Sequence, residues 1–167
     1  MSSTHEQVRA QYGKQARFYS VSRSHATSDT LGMLVDMAQL AGDERVLDVA
    51  TGTGFCAMAF APHVKDVVAY DLTPEMLAEA SRLAGERGLS NMSFQQGPAE
   101  KMPFEAASFD VVTVRTAPHH FASMEQFLGE AFRVLKPGGR FLSADTSAPD
   151  NAEADAEADL AALGAIA

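Results

Sequence analysis

Hydrophobic positions along the chain fall into two alternating patterns. Short β-branched runs recur at Arg45–Ala50 (RVLDVA), Asp66–Asp71 (DVVAYD), Met92–Gln95 (MSFQ), Phe109–Val114 (FDVVTV) and Arg140–Asp145 (RFLSAD). Most are separated by segments of helical period, and apolar runs bounded by helices predict parallel strands buried on both faces. From Thr30 to Ala41, Leu31, Leu34, Val35 and Ala38 share one face, and Gly42 follows as a stop. Thr73 is expected to cap the next long helix, with Pro74 in its first position and Gly88 at its end. Met76, Leu77, Ala80, Leu83 and Ala84 form its buried stripe. Ser123 and Gln126 read as a capping box, ahead of a stripe of Phe127, Leu128, Ala131, Val134 and Leu135. Pro137-Gly138-Gly139 then predicts a break before the last strand.

The resulting order is β-α-β-α-β-loop-β-α-β behind a helical N-terminal extension. Right-handed crossovers make this an open, doubly wound parallel α/β sheet. Ligands in such sheets bind beyond the carboxyl ends of the strands, where strand order reverses. Residues 1–149 are expected to form the core domain, and residues 150–167 an acidic, alanine-rich tail, helical or frayed.

Composition narrows the classes. The chain has 167 residues, 46% of them apolar, which suits one domain with a real core. No apolar run reaches the ~20 residues of a membrane span. The polar opening MSSTHEQVRAQYGKQ does not look like a secretory signal, and a single cysteine, Cys56, suits a reducing cytoplasm. Net charge is −9, and setting aside the five acids of the last eighteen residues leaves −4 on the remainder. An acidic body without a basic stripe argues against nucleic acid as a partner. It is compatible with a cationic ligand.

The candidate chemistry follows the first strand, in VLDVATGTG. Gly52 and Gly54 let backbone approach a ligand closely. Asp71, nineteen residues after Gly52, ends the second strand, where an acid can accept both hydroxyls of a ribose. Gly52, Gly54 and Ala57 match the dinucleotide fingerprint, which alone does not choose between NAD and another nucleoside. Asp48 does bear on the choice: a carboxylate inside the strand would repel a pyrophosphate and attract an ammonium group. Its alternative role is a buried acid that caps loop amides. For Asp71 the alternative is a solvated strand end or a cap for the next helix.

The ordered segments VLDVATGTG, AYDLTPEML, QQGPAEKMPF, SFDVVTVRTAPHHF and VLKPGGRFL resemble class I S-adenosylmethionine (SAM) methyltransferases, and most of all the ubiquinone/menaquinone-biosynthesis C-methyltransferase-like small-molecule branch. The resemblance runs from about Gln11 to Pro149 and implies a Rossmann-like sheet of order 3-2-1-4-5 with SAM as cofactor and a small-molecule acceptor. It implies Asp48, Gly52 and Gly54 around the methionine end, Asp71 on the ribose, and Leu72 and Met76 flanking adenine. Ala99 would offer its amide to the adenine ring with Glu100 beside it, and Arg115 would border the sulfonium. Tyr12, Phe18 and Tyr19 would belong to a lid, with His25 nearby.

The sequence departs from that family in two places. Pro98 stands where an acid is frequent. Beyond Pro149 the family's last two strands have no counterpart, so the fifth strand is expected to be an edge, predicting pairing with a second copy through RFLSAD or instability of the chain alone. His119 and His120 follow the fourth strand, where substrate should lie. His120 is the candidate general base, against a structural role for each ring. The pair has no third ligand at metal spacing, so no metal site is expected. Cys56, at a helix start, reads as a packing residue or a thiol of lowered pKa. A SAM-binding module without turnover and, further off, an NAD-dependent oxidoreductase are the competing readings.

Overall fold

In the computed structural model, the described residues are His5, Glu6, Gly13, Ala16, 29–117 and 121–145. Strands β1 (Arg45–Val49), β2 (Asp66–Asp71), β3 (Met92–Gln96), β4 (Phe109–Arg115) and β5 (Leu135–Ala144) alternate with helices α1 (Asp29–Met37), α2 (Phe55–Phe60), α3 (Pro74–Glu86) and α4 (Met124–Val134). All four strand pairings are parallel, and the sheet order is β3-β2-β1-β4-β5. The chain starts in the middle, moves outward to β3, then returns to place β4 against the other side of β1. The strand order therefore reverses between β1 and β4, as expected for the Rossmann-like fold.

The side-chain period of two divides the sheet between two cores. Val46, Val67, Ala69 and Val111 pack with Leu31 and Leu34 of α1, with Ala38 just past its end, and with Phe55 and Phe60 of α2. Leu47, Val49, Val68, Tyr70, Val112 and Val114 pack with Phe127, Ala131 and Val134 of α4. Being buried on both faces explains why the central strands read as unbroken apolar runs.

Several boundaries move for local reasons. Helix α1 stops at Met37 rather than Ala41, because Gln39 takes a left-handed φ of 48°. Arg140 of β5 donates from Nη1 to the Ala38 and Gln39 carbonyls and from Nη2 to Glu44, capping that helix end with a cation. Glu44 also accepts from the Ala41 and Gly42 amides and is held below the usual carboxylate range; burial opposes these bonds. Strand β1 ends at Val49, since Ala50 turns left-handed. Helix α3 starts at Pro74 as expected, but the Thr73 side chain makes no capping bond. Its far end closes with the bonds Gly88 N to Gly85 O and Leu89 N to Ala84 O. Ser123 does cap α4, accepting from Gln126 N at 3.3 Å.

The Pro137-Gly138-Gly139 stretch lies inside β5 rather than before it. Between the pairs Phe109–Leu135 and Val111–Arg140 the register shifts, so these residues bulge away from β4 without ending the pairing. Asp110 pins the bulge by accepting from Lys136 Nζ, at 2.9 Å to each oxygen, and from the Arg45 amide. Among the described residues β5 has no neighbour beyond it. No helix of those residues is long and apolar enough to cross a membrane. The expected tail, residues 150–167, lies outside them.

Candidate functional site

The carboxyl ends of β1, β2 and β4 converge on the loop 50–54. Asp48 is 1% exposed and points to the α2 side of the sheet. Its Oδ2 accepts from Thr51 Oγ1 at 2.5 Å and from the Ala57 amide at 3.0 Å, tying the loop to the first turn of α2. Burial pushes its carboxyl up to about 6, against the pull of the bonds from Thr51, Cys56 and Ala57 and the charge of Arg115. Its register partner on β4 is Thr113, whose hydroxyl lies 3.6 Å from Cys56 Sγ. The Cys56 thiol is buried and its pKa is raised, first by burial and then by the Asp48 charge, so the packing role holds and an activated thiol does not.

Asp71 spans two loops. Its Oδ2 accepts from Gly52 N at 2.8 Å and its Oδ1 from Thr73 N at 2.8 Å. Burial raises its pKa, while these amide bonds lower it. The Thr73 side chain and the Leu72 amide also bond to it, so the loop after β2 holds this carboxylate from several sides. The amide-capping alternatives for Asp48 and Asp71 are thus present in the structure, and they place both acids directly beneath and beside the glycine loop.

The glycines differ in kind. Gly54, at φ 83°, is needed for packing: a Cβ there would lie 2.9 Å from the Ala80 Cβ of α3. Gly52, at φ 55°, has no heavy atom of the described residues within 4 Å of the place a Cβ would occupy. Its amide is taken by Asp71, and the missing Cβ leaves room above the loop.

The loop after β3 forms the next wall. Gly97 fits under Tyr70, whose hydroxyl donates to Pro98 O at 3.2 Å; a Cβ on Gly97 would fall 2.0 Å from that hydroxyl oxygen. Helix α4 holds the rest of the wall. Glu130 accepts from Met102 N, and Arg133 donates to the Phe104 and Met102 carbonyls. Ala99 and Met76 are buried, while Leu72 and Arg115 are half-buried. The Glu100 carboxylate accepts from the Ala122 amide at 2.7 Å and meets His5 Nε2 at 3.1 Å.

The sheet thus brings Asp48, Gly52, Gly54, Asp71, Leu72 and Arg115 to one rim. Tyr12, Phe18, Tyr19, His25, His119 and His120 lie outside the described residues. Sequence reading missed Thr51, although it stands three residues after Asp48, and missed the Glu130–Arg133 clamp. The i,i+3 spacing of that pair on α4 was its visible signal.

This is a doubly wound α/β architecture with two acids and a glycine loop at its switch point. The chain belongs to the methyltransferase-domain family, whose model matches residues 40–165. It is 41% identical over 140 residues to the uncharacterized methyltransferase YcgJ of Bacillus subtilis, covering 84% of this chain and 55% of that protein. The crystal structure of YcgJ superposes with a TM-score of 0.70 at 42% identity, over 76% of this chain and 54% of that one. The demethylmenaquinone methyltransferase of Thermus thermophilus is 42% identical over 110 residues, 65% of this chain and 50% of its own. A SAM-dependent methyltransferase from Aquifex aeolicus has a TM-score of 0.66 at 25% identity, over 75% of this chain and 68% of its own. The chain spans about half the length of the curated relatives it matches.

Proposed function

We propose that this chain binds SAM at the rim of β1, β2 and β4 and transfers its methyl group to a small, partly apolar acceptor. The observation that carries the reading is the pairing of Asp71 with the amide of Gly52, next to the open space above that glycine. A carboxylate fixed there is oriented to accept from ribose hydroxyls, and the bare backbone admits the cofactor without a Cβ in its way. SAM supplies an already activated methyl on a sulfonium. The protein's share is then to hold donor and acceptor in line, with the buried negative charge of Asp48 favouring a cation above the loop. Leu72 and Met76 flank adenine, and Ala99 offers its backbone amide to the ring. Arg115 borders the transfer site, and His120 is the candidate base where the acceptor must lose a proton.

The chain's relatives include a protein named for demethylmenaquinone methylation, which supports a small-molecule acceptor here. The buried free thiol Cys56 suits a reducing cytoplasm. Calorimetry with SAM, S-adenosylhomocysteine and NAD tests the site. SAM and S-adenosylhomocysteine are expected to bind, and Asp71→Ala to weaken SAM by roughly 1–3 kcal/mol, the scale of a lost charged hydrogen bond. Binding of NAD alone, or unchanged affinity in the variant, refutes the assignment. A labelled-methyl transfer screen separates an enzyme from a SAM-binding module without turnover. At the far side of the sheet, Phe132 is 63% exposed and stacks beside Phe141 of β5. This apolar edge supports pairing of β5 with a second copy, and a monodisperse monomer of high thermal stability in light scattering counts against it.

A further inference from the structure

Glu100 is the meeting point of three segments that are far apart in sequence. It belongs to the loop after β3. Its Oε1 accepts from Ala122 N, in the connection that leads into α4, and its Oε2 lies 3.1 Å from His5 Nε2 in the N-terminal segment. Both side chains of the latter pair are largely buried, His5 at 14% and Glu100 at 8% exposure. The imidazole tautomer with its proton on Nε2 donates to a carboxylate in this geometry. The same N-terminal segment touches the neighbouring wall. A Cβ on Gly13 would lie 3.2 Å from Glu75 Oε2 at the start of α3, and Ala16 is 6% exposed. His5 therefore meets the loop after β3, and Gly13 the first turn of α3.

From this geometry we propose that Glu100 is a positioning residue that couples His5 to Ala122, at the entrance to α4. The inference rests on the nucleoside site proposed above, but its physical content is independent of the ligand. One carboxylate holds two segments at once, so its orientation by His5 fixes the oxygen that receives the Ala122 amide. The His5 contact thereby bears on the entrance to α4 at Ala122, on the side where the acceptor is expected. Met102 and Phe104, held from α4 by Glu130 and Arg133, keep the Glu100 loop at a fixed distance from that helix, so a change at His5 is transmitted to Ala122 rather than absorbed by the loop.

Residue-resolved amide hydrogen exchange tests the coupling in the whole chain without any ligand. Glu100→Ala is expected to speed exchange at Ala122 by roughly tenfold or more, the scale for losing a charged hydrogen bond. His5→Ala, which does not touch Ala122, is expected to speed the same amide by several-fold (about threefold to tenfold). Glu100→Gln restores much of the protection, because its carbonyl still accepts from Ala122 and its amide can donate to the other imidazole tautomer. Unchanged Ala122 exchange in His5→Ala overturns the proposal, and so does a Glu100→Gln variant as unprotected as Glu100→Ala. His5 lies near the chain terminus, so its variant tests the coupling even where Glu100→Ala fails to fold. Adding S-adenosylhomocysteine is expected to slow exchange at Ala122 and beside His5 together. Failure of the wild type to take up that ligand would remove the proposed site and leave the His5–Ala122 result to stand or fall separately.

Discussion

The side chain of Asp71 offers a sharp test, since both of its oxygens receive backbone amides that cannot turn away. Gly52 N and Thr73 N each donate at 2.8 Å, from loops on either side of the β2 terminus, and the residue is 8% exposed. Asp71→Asn keeps the shape but supplies one carbonyl and one NH2 group. Whichever way the amide is turned, one backbone N–H then faces another donor. The variant converts one charge-assisted bond to a neutral one, at about 1 kcal/mol, and leaves one buried N–H unmet, at about 1–3 kcal/mol. Relief of the burial that raises the Asp71 pKa offsets part of this, leaving a loss of roughly 1–3 kcal/mol. For a chain of this size that corresponds to a melting point lower by roughly 3–10 °C. Thermal unfolding followed by circular dichroism measures it, and amide exchange at Gly52 and Thr73 locates it. A melting point within about 1 °C of wild type, with both amides still protected, would show that the carboxylate does not organise the glycine loop.

Asp48 is predicted to shape the pH dependence of stability. Its folded pKa is raised from 3.8 to about 6, so its contribution is fully present below the unfolded value and is lost as pH rises through 6. Asp48→Asn should flatten that part of the curve in urea titrations between pH 4 and 7. Glu44, Asp110 and Glu130, all held below their ordinary values, act in the opposite sense in acid and are common to both proteins. An identical pH profile for the two proteins would refute the shift. Gly97→Ala should destabilise by roughly 1–3 kcal/mol through overpacking, because the added methyl meets the buried Tyr70 ring and its hydroxyl. Tyr70→Phe combined with it should recover part of the loss, and strict additivity in chemical denaturation would refute that contact.

The fold was legible because each central strand is buried on both sides and each helix on one. Unbroken β-branched runs and 3.6-residue stripes are the direct traces of those environments, and they survive in one dimension. Val46 and Leu47 serve opposite cores, yet both had to be apolar. The glycine loop and the acid at the end of β2 were legible for a related reason: backbone proximity and a fixed topology set their spacing. What stayed hidden depends on contacts between distant segments. Nothing in the sequence near Glu100 indicates that its partners are His5 and Ala122, ninety-five and twenty-two residues away. The bulge in β5 was misread as a strand boundary because Pro-Gly-Gly signals a turn, whereas Asp110 and Lys136 hold that turn against the sheet.

Backbone strain marks the site's rim at two residues without reference to any side-chain chemistry. Of the four described non-glycine residues with left-handed φ, Gln39 and Ala107 lie elsewhere, while Ala50 has φ 53° and Thr116 has φ 51° here. Left-handed backbone is unfavourable for alanine and more so for a β-branched residue. Val49 pairs with Val114 across β1 and β4, so each strained residue lies just past the carboxyl end of one of the two strands between which the order reverses. The surrounding structure holds them there. Thr51 N bonds to Tyr70 O and its hydroxyl to Asp48, while Thr116 N bonds to Ala144 O at 2.8 Å. The two turns carry the chain away from the sheet at the carboxyl ends of β1 and β4, where the strand order reverses. Relaxing either residue to an extended conformation would continue its strand and displace the loop that follows. Costs of this kind persist where the neighbouring bonds over-determine the conformation, and here those bonds are made by Asp48, Tyr70 and the end of β5, each supplied by a strand rather than by the loops themselves.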